Sequence, residues 1–435
     1  MSSAWRSAFG KIWDTFPYQN AVLAFACCTY AWETYLNWRQ FSRLRTKRRP
    51  KAVEEISSAE DYEKAGGYSR DKLLYSFVHD SYDLVELFIT LSLNLGPKFW
   101  AFSGDLISAA GYGTNNERSP ALRRCQIKIL QSVLFAFLSL VASMLAEMPL
   151  SLYFEFVIEA RHGFNKQTLG LFLTDKIKGI FLGTLIGIPV LSGALYIIRV
   201  AGDSFFFYVW GFMLVFQLIM VVIFPTLIQP LFNKYTPLED GELKTKINVL
   251  AARIRFPLTK IFVVDGSKRS SHSNAYFYGF FGNKRIVLFD TLLAHSSVEE
   301  VCGVLAHEIG HWFHNHVLQG LVIIQLQMLV QFYLFNEFIH YTPLYASFGY
   351  DSQPILIGYL LFQYIFSPVN TLLNFSMNLL SRKNEFQADA YAKKLGYTDV
   401  LRTALIKLHV KNLGNLNPDS WYSAWSYSHP PLVER

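Results

Sequence analysis

Long apolar runs alternate with shorter charged stretches along this chain, and the runs decide its class before any motif is considered. A helix needs roughly 20 mainly apolar residues to cross a bilayer. Seven candidate spans stand out, centred near Ala26, Leu91, Leu138, Ile188, Phe216, Leu329 and Leu361. The run near Leu91 is the weakest because it contains Asp83 and Glu86, and Glu33 and Glu147 interrupt the first and third runs. Carboxylates in a span face other helices or a water-filled cavity, so these read either as helix–helix polar contacts or as the lining of a hydrated chamber. The first run follows Arg6 and Lys11 but lacks a small-residue cleavage site, and reads as a retained span.

Two stretches are polar enough to fold outside lipid, 233–316 and 381–435. The expected organisation is spans one to five in 1–232, a catalytic subdomain in 233–316, spans six and seven in 317–380, and a C-terminal cytosolic segment in 381–435. Lys260–Asp265 and Arg285–Asp290 have the pattern of short strands, so a mainly α fold with a small β-sheet is predicted. Ser57–Gly67 reads as a polar loop, and no internal repeat is visible.

Composition agrees with a membrane protein: 51% of the 435 residues are hydrophobic and 37 are Phe. The net charge of +7 does not form one basic domain, which excludes the usual nucleic-acid binder. The basic residues instead report topology. Arg39, Arg43, Arg45, Lys47, Arg48, Arg49 and Lys51 follow the first span, and Arg161, Lys166, Lys176 and Lys178 lie between the third and fourth. Those loops are expected in the cytosol, with the N-terminus outside and the C-terminus inside; Arg118, Arg123 and Arg124 are the exception. The four cysteines have neither disulfide-framework nor metal-site spacing and read as reduced.

The chemistry is concentrated in one helical segment, Val301–His314, which contains HExxH. On a helix, residues four apart share a face, so His307 and His311 can present two imidazoles to one Zn²⁺ while Glu308 serves as the base. A catalytic zinc site needs a third protein ligand and an open fourth position. Glu385, just past the last span, is the candidate, and Asp389 one turn on could hold a ligating imidazole by its other nitrogen. The competing reading makes Glu385 and Asp389 a solvated face paired with Arg382 and Lys393. His314 and His316 read as polar neighbours, although the spacing of His311 and His314 also permits chelation.

The segments Tyr30–Gln40, Phe156–Lys166, Ser273–Tyr276, His307–His311, Glu385–Asp389 and Ser428–Pro431 together resemble the type I CAAX prenyl proteases, zinc enzymes of the endoplasmic reticulum membrane. The resemblance implies seven transmembrane helices enclosing a large hydrated chamber, capped on the cytosolic side by the zinc domain. It implies removal of the last three residues from prenylated CAAX proteins or peptides, with a second upstream cut in some members, and the inner nuclear membrane as a second location. It carries zinc ligation to His307, His311 and Glu385, general-base catalysis to Glu308, substrate-backbone binding to Asn274, and substrate or oxyanion stabilisation to His429. Without that resemblance His429 reads as a histidine at a helix entry before prolines. One departure is that the family continues past Arg435 into a further helical stretch. The partners implied are a prenylated substrate and membrane lipid.

Two alternatives bracket this reading. Related membrane zinc peptidases with the same motif degrade misfolded or translocon-jammed polypeptides. A noncatalytic scaffold or transporter with a structural metal is disfavoured, because a structural site has no use for Glu308 and a transporter should show repeat symmetry.

Overall fold

The computed structural model describes residues 13–46, 49–112, 121–279 and 282–435; Arg6, Lys11, Lys47, Arg48 and Arg118 lie outside them. Its principal helices are α1 (Tyr18–Leu44), α2 (Ala59–Ser92), α3 (Leu95–Ala109), α4 (Ala121–Tyr153), α5 (Leu169–Val200), α6 (Phe205–Ile223), α7 (Glu242–Arg253), α8 (Val298–Phe313), α9 (His316–Phe338), α10 (Ile355–Lys394), α11 (Thr398–Lys411) and α12 (Ser420–Ser426). The strands are β1 (Tyr235–Pro237), β2 (Leu258–Val264), β3 (Ala275–Tyr278) and β4 (Lys284–Phe289).

Among the described residues, five helical stretches are apolar and long enough to cross a membrane: Cys125–Glu159, Leu169–Val200, Gly202–Leu231, His316–Phe338 and Ile355–Lys394. The chain is a multi-pass membrane protein. The expected centres at Leu138, Ile188, Phe216, Leu329 and Leu361 fall within these stretches. Helices α1 and α2, of 27 and 34 residues, are long enough too and pack side by side in the same bundle, but their carboxylates dilute the apolar signal.

The expected centre at Leu91 is displaced: α2 ends at Ser92, Asn94 takes a left-handed conformation, and α3 starts there. The sequence window had merged the end of one helix with the start of the next. The loop expected at Ser57–Gly67 is also corrected. Ser58 accepts a hydrogen bond from the Asp61 N–H, and α2 is helical from Ala59, so the polar residues form an N-cap and first turn.

The intramembrane carboxylates divide between the two readings. Asp83 and Glu147 both bind His79, at 3.2 and 2.9 Å, making a polar contact between α2 and α4. Glu33 and Asp80 instead line a cavity of about 360 Å³ among α1, α2, α10 and α12. A larger cavity of about 1190 Å³ opens at the ends of the helices near Tyr18, Arg199, Phe338 and Ile355. Glu385 lies thirty residues along α10 from Ile355, about 45 Å, so this larger space is remote from the HExxH helix.

The polar subdomain packs a four-stranded sheet of order β1-β2-β4-β3 against helices. The central pair β2 and β4 is parallel, with Ile261 opposite Ile286 and Val263 opposite Leu288. Both had been expected as strands. The edge strands β1 and β3 pair antiparallel and are only 3 and 4 residues long, too short for a periodic signal. Ile286, Leu288, Leu305, Ile309 and Ala392 share one apolar core, so the C-terminal part of α10 enters this subdomain while its N-terminal part packs within the membrane bundle through Phe362 and Phe366. One 40-residue helix thereby ties the membrane region to the soluble core.

Candidate metal centre

Helix α8 begins with a capping box: Ser297 Oγ accepts from the Glu300 N–H at 3.2 Å, and Glu300 Oε2 accepts from the Ser297 N–H at 2.7 Å. Lys407 of α11 adds a 2.9 Å ion pair to Glu300. Two glycines then admit the neighbouring helices. A Cβ on Gly303 would lie 3.2 Å from the Leu401 backbone nitrogen, and one on Gly310 only 2.8 Å from the Ala388 Cα. The close approach at Gly310 brings the HExxH face of α8 onto α10, where Glu385 and Ala388 are buried.

His307, His311 and Glu385 converge there, each offering a ligand atom within 4.8 Å of the others. The two Nε2 atoms stand 3.2 Å apart, and the Glu385 carboxylate lies 3.5 Å from His307 Nε2 and 3.3 Å from His311 Nε2. The other ring nitrogens are engaged: His307 Nδ1 lies 2.9 Å from Asp389, and His311 Nδ1 lies 2.9 Å from His316 Nδ1. His316 is buried and reaches Gln387 through its Nε2 at 2.9 Å, so α10 supports both imidazoles. His314 stacks on His316 with ring centroids 5.5 Å apart, away from the cluster.

Glu385 is 3% exposed, which overturns its reading as a solvated face. Arg382 binds Ser423 and Glu434 instead. Its place near Asp389 is taken by a residue that spacing could not reveal. Arg435 binds both Asp389 oxygens, at 2.8 and 2.6 Å, and approaches Glu385 to 3.2 Å. The one available clue was charge balance, since Glu308, Glu385 and Asp389 together require a cation.

The electrostatics fit a cation ligand. Burial alone would keep His307 neutral, but its hydrogen bonds to Asp389 and Glu385 push its pKa up to about 9. Burial also opposes the charge on Glu385, yet His307, His311 and His429 hold it well below the usual carboxylate range. Burial pushes the Glu308 pKa up from the ordinary carboxylate value. Two imidazoles with both Nδ1 atoms engaged direct Nε2 to a common point beside a carboxylate, a donor set that suits a divalent metal.

The other two expected site residues are exposed. His429 is 68% exposed in its side chain, and its Nδ1 is 3.0 Å from Glu385. Asn274 is exposed at the head of β3, which packs against α8; its Oδ1 accepts from the Ala275 N–H at 2.8 Å. The Phe156–Lys166 segment supports the loop preceding Asn274. Ser271 N donates to Phe164 O at 3.1 Å, Lys166 N to Arg269 O at 3.0 Å, and Arg269 makes a bidentate contact with Asp175.

A hollow membrane bundle joined by one helix to a soluble core with an HExxH cluster defines a membrane-embedded metallopeptidase. Residues 40–234 match the family model described as CAAX prenyl protease N-terminal, five membrane helices, and residues 237–435 match peptidase family M48. The chain is 46% identical over 420 residues to a CAAX prenyl protease 1 homolog of Oryza sativa subsp. japonica, covering 96% of each. Identity is 45% over 455 residues to the Homo sapiens homolog, with 95% of this chain and 94% of the other covered. The crystal structure of S. mikatae Ste24p aligns with a TM-score of 0.87 at 41% identity, covering 97% of this chain and 98% of that one. This chain belongs to the CAAX prenyl protease 1 family of M48 metalloendopeptidases.

Proposed function

We propose that one Zn²⁺ is held by His307, His311 and Glu385, and that the protein cleaves prenylated CAAX proteins after the lipidated cysteine, releasing the terminal three residues. The observation that carries this reading is the convergence of the two Nε2 atoms and the Glu385 carboxylate beside Glu308. Bound zinc would supply Lewis acidity at the scissile carbonyl and bring the pKa of water to about 7.

The remaining work falls to the chain itself. Glu308 takes the proton from the attacking water and returns it to the leaving amine; its upward-shifted pKa suits both steps. Asp389 and His316 orient the two imidazoles through Nδ1, and Arg435 holds Asp389 in place. Asn274 hydrogen-bonds the substrate backbone from the head of β3. His429, standing exposed beside Glu385, donates to the developing oxyanion. The prenyl chain gains about 0.8 kcal/mol for each buried methylene, so lipid burial supplies part of the binding.

The location that fits is the endoplasmic reticulum membrane, with the N-terminus in the lumen and the HExxH subdomain and C-terminus in the cytosol. Cleavage of a farnesylated CAAX peptide by the full-length protein in detergent tests the reading, with wild type beside Glu308→Gln and the zinc content of both measured. Glu308→Gln should retain zinc while losing about 10²- to 10⁴-fold in rate. Untouched prenyl peptide alongside cleavage of unprenylated membrane polypeptides would replace this substrate class with quality control.

A further inference from the structure

The smaller cavity, about 360 Å³, lies among α1, α2, α10 and α12 and is lined by two carboxylates, Glu33 and Asp80. No Lys or Arg lines it, and among the described residues neither carboxylate has an ion-pair partner. Partly buried charges in a membrane-embedded bundle require compensation, and two of the same sign in one cavity require it more. Asn37 also lines the space and is only 8% exposed. Its Nδ2 donates to Asp80 at 3.4 Å, but its Oδ1 has no partner among the described residues. The two carboxylates thus meet only neutral donors, Asn37 Nδ2 at Asp80 and the Trp425 indole at Glu33, and among the described residues no cation in the cavity balances them. Its wall is aromatic: Phe375 and Trp425 stack at 5.3 Å with 28° between their planes. Carboxylates and an amide oxygen beside aromatic faces suit an alkylammonium or guanidinium on an apolar stem.

The position is set by α10. Asn378 lines the cavity and donates to the Trp425 carbonyl at 2.8 Å, while Glu385 lies seven residues further along the helix. Seven residues of helix span about 10 Å, and an extended peptide covers that distance in roughly three residues. Resting on the peptidase reading above, we infer that this cavity is a subsite for a Lys or Arg side chain of the substrate, roughly three residues N-terminal to the prenylated cysteine. The C-terminal side of the cut does not fit. The residues released there are aliphatic apart from the last, whose free carboxylate Glu33 and Asp80 would repel, whereas basic residues commonly precede the box.

The test uses full-length protein in detergent and three farnesylated peptides that differ only in Lys, Gln or Glu at the third residue upstream of the cysteine. Wild type should favour Lys over Gln by about tenfold in kcat/KM, with Glu poorer still. Asp80→Asn and Glu33→Gln should each narrow that preference, and Asp80→Lys should shift it toward the Glu peptide. Melting temperature and metal content separate a lost preference from a lost fold, and the wild-type series decides the matter even where a variant fails to fold. Equal cleavage of all three peptides by wild type, or an unchanged preference in folded Asp80→Asn and Glu33→Gln, overturns the subsite alone. Cleavage of none of them overturns the peptidase reading and the subsite with it.

Discussion

Gly310 lies between the two histidines of HExxH, and its replacement by alanine tests whether the α8–α10 approach sets the metal centre. The added Cβ would meet Ala388 Cα at 2.8 Å, its carbonyl oxygen at 3.0 Å and its Cβ at 3.2 Å. Carbon contacts settle at about 3.5–4.0 Å, so the helices must part by roughly 0.7 Å or more. Such overpacking costs about 1–3 kcal/mol, of which the better helix propensity of alanine offsets about 1. Stability should therefore fall only slightly. The site is less tolerant, because Glu385 lies one turn from Ala388 on the helix that must move. Metal–ligand distances hold within about 0.2 Å, and a 1 Å misplacement costs about 10²-fold in rate. Gly310→Ala should thus lose about a hundredfold in kcat/KM and much of its metal, with a small drop in melting temperature. Gly320→Ala is the control, since nothing lies within 4 Å of its added Cβ. Activity and metal content equal to wild type in Gly310→Ala would refute the argument that this contact positions the ligands.

Two further substitutions separate orientation from folding. Asp389→Asn removes the carboxylate behind His307 and should weaken metal binding about 10- to 100-fold in a competition titration with a chelator; an unchanged affinity would remove Asp389 from the site. Glu300 tests the start of α8: burial raises its pKa, but the Ser297 N–H and Lys407 outweigh burial and hold it below the ordinary carboxylate value. Its stabilisation is therefore fully present above the unfolded value of about 4.3 and disappears as pH falls through the lower folded value. Thermal unfolding of Glu300→Gln should accordingly lose part of the wild-type acid sensitivity below about pH 4, and an identical pH profile would count against the capping box as its source.

How much of this was legible depends on whether the determining interaction is local. That His307 and His311 share a face follows from their spacing, and the two central strands follow from runs of β-branched residues bounded by polar ones. Helices α4, α5, α6, α9 and α10 announce themselves because lipid demands a continuous apolar run. The boundary at Asn94 was missed because the apolar residues on both sides of the turn look alike to any window that ignores backbone conformation. Ser58 was misread for the opposite reason: a helix whose first turn is polar looks like a loop until the cap is recognised.

The least legible contributions to the metal centre come from residues whose partners are far away in sequence. Asp389 and His307 are 82 positions apart and Arg435 and Asp389 are 46 apart, so no periodicity connects them. Their association follows from electrostatics: an HExxH helix and a carboxylate-bearing helix cannot approach as closely as Gly310 allows unless the charge of Glu308, Glu385 and Asp389 is balanced. A metal held at the Nε2 atoms would balance part of it, and Arg435 balances part from behind Asp389. Glu33 and Asp80 present the same requirement with no cation beside them among the described residues, and for that reason a substrate side chain is the group expected to meet it.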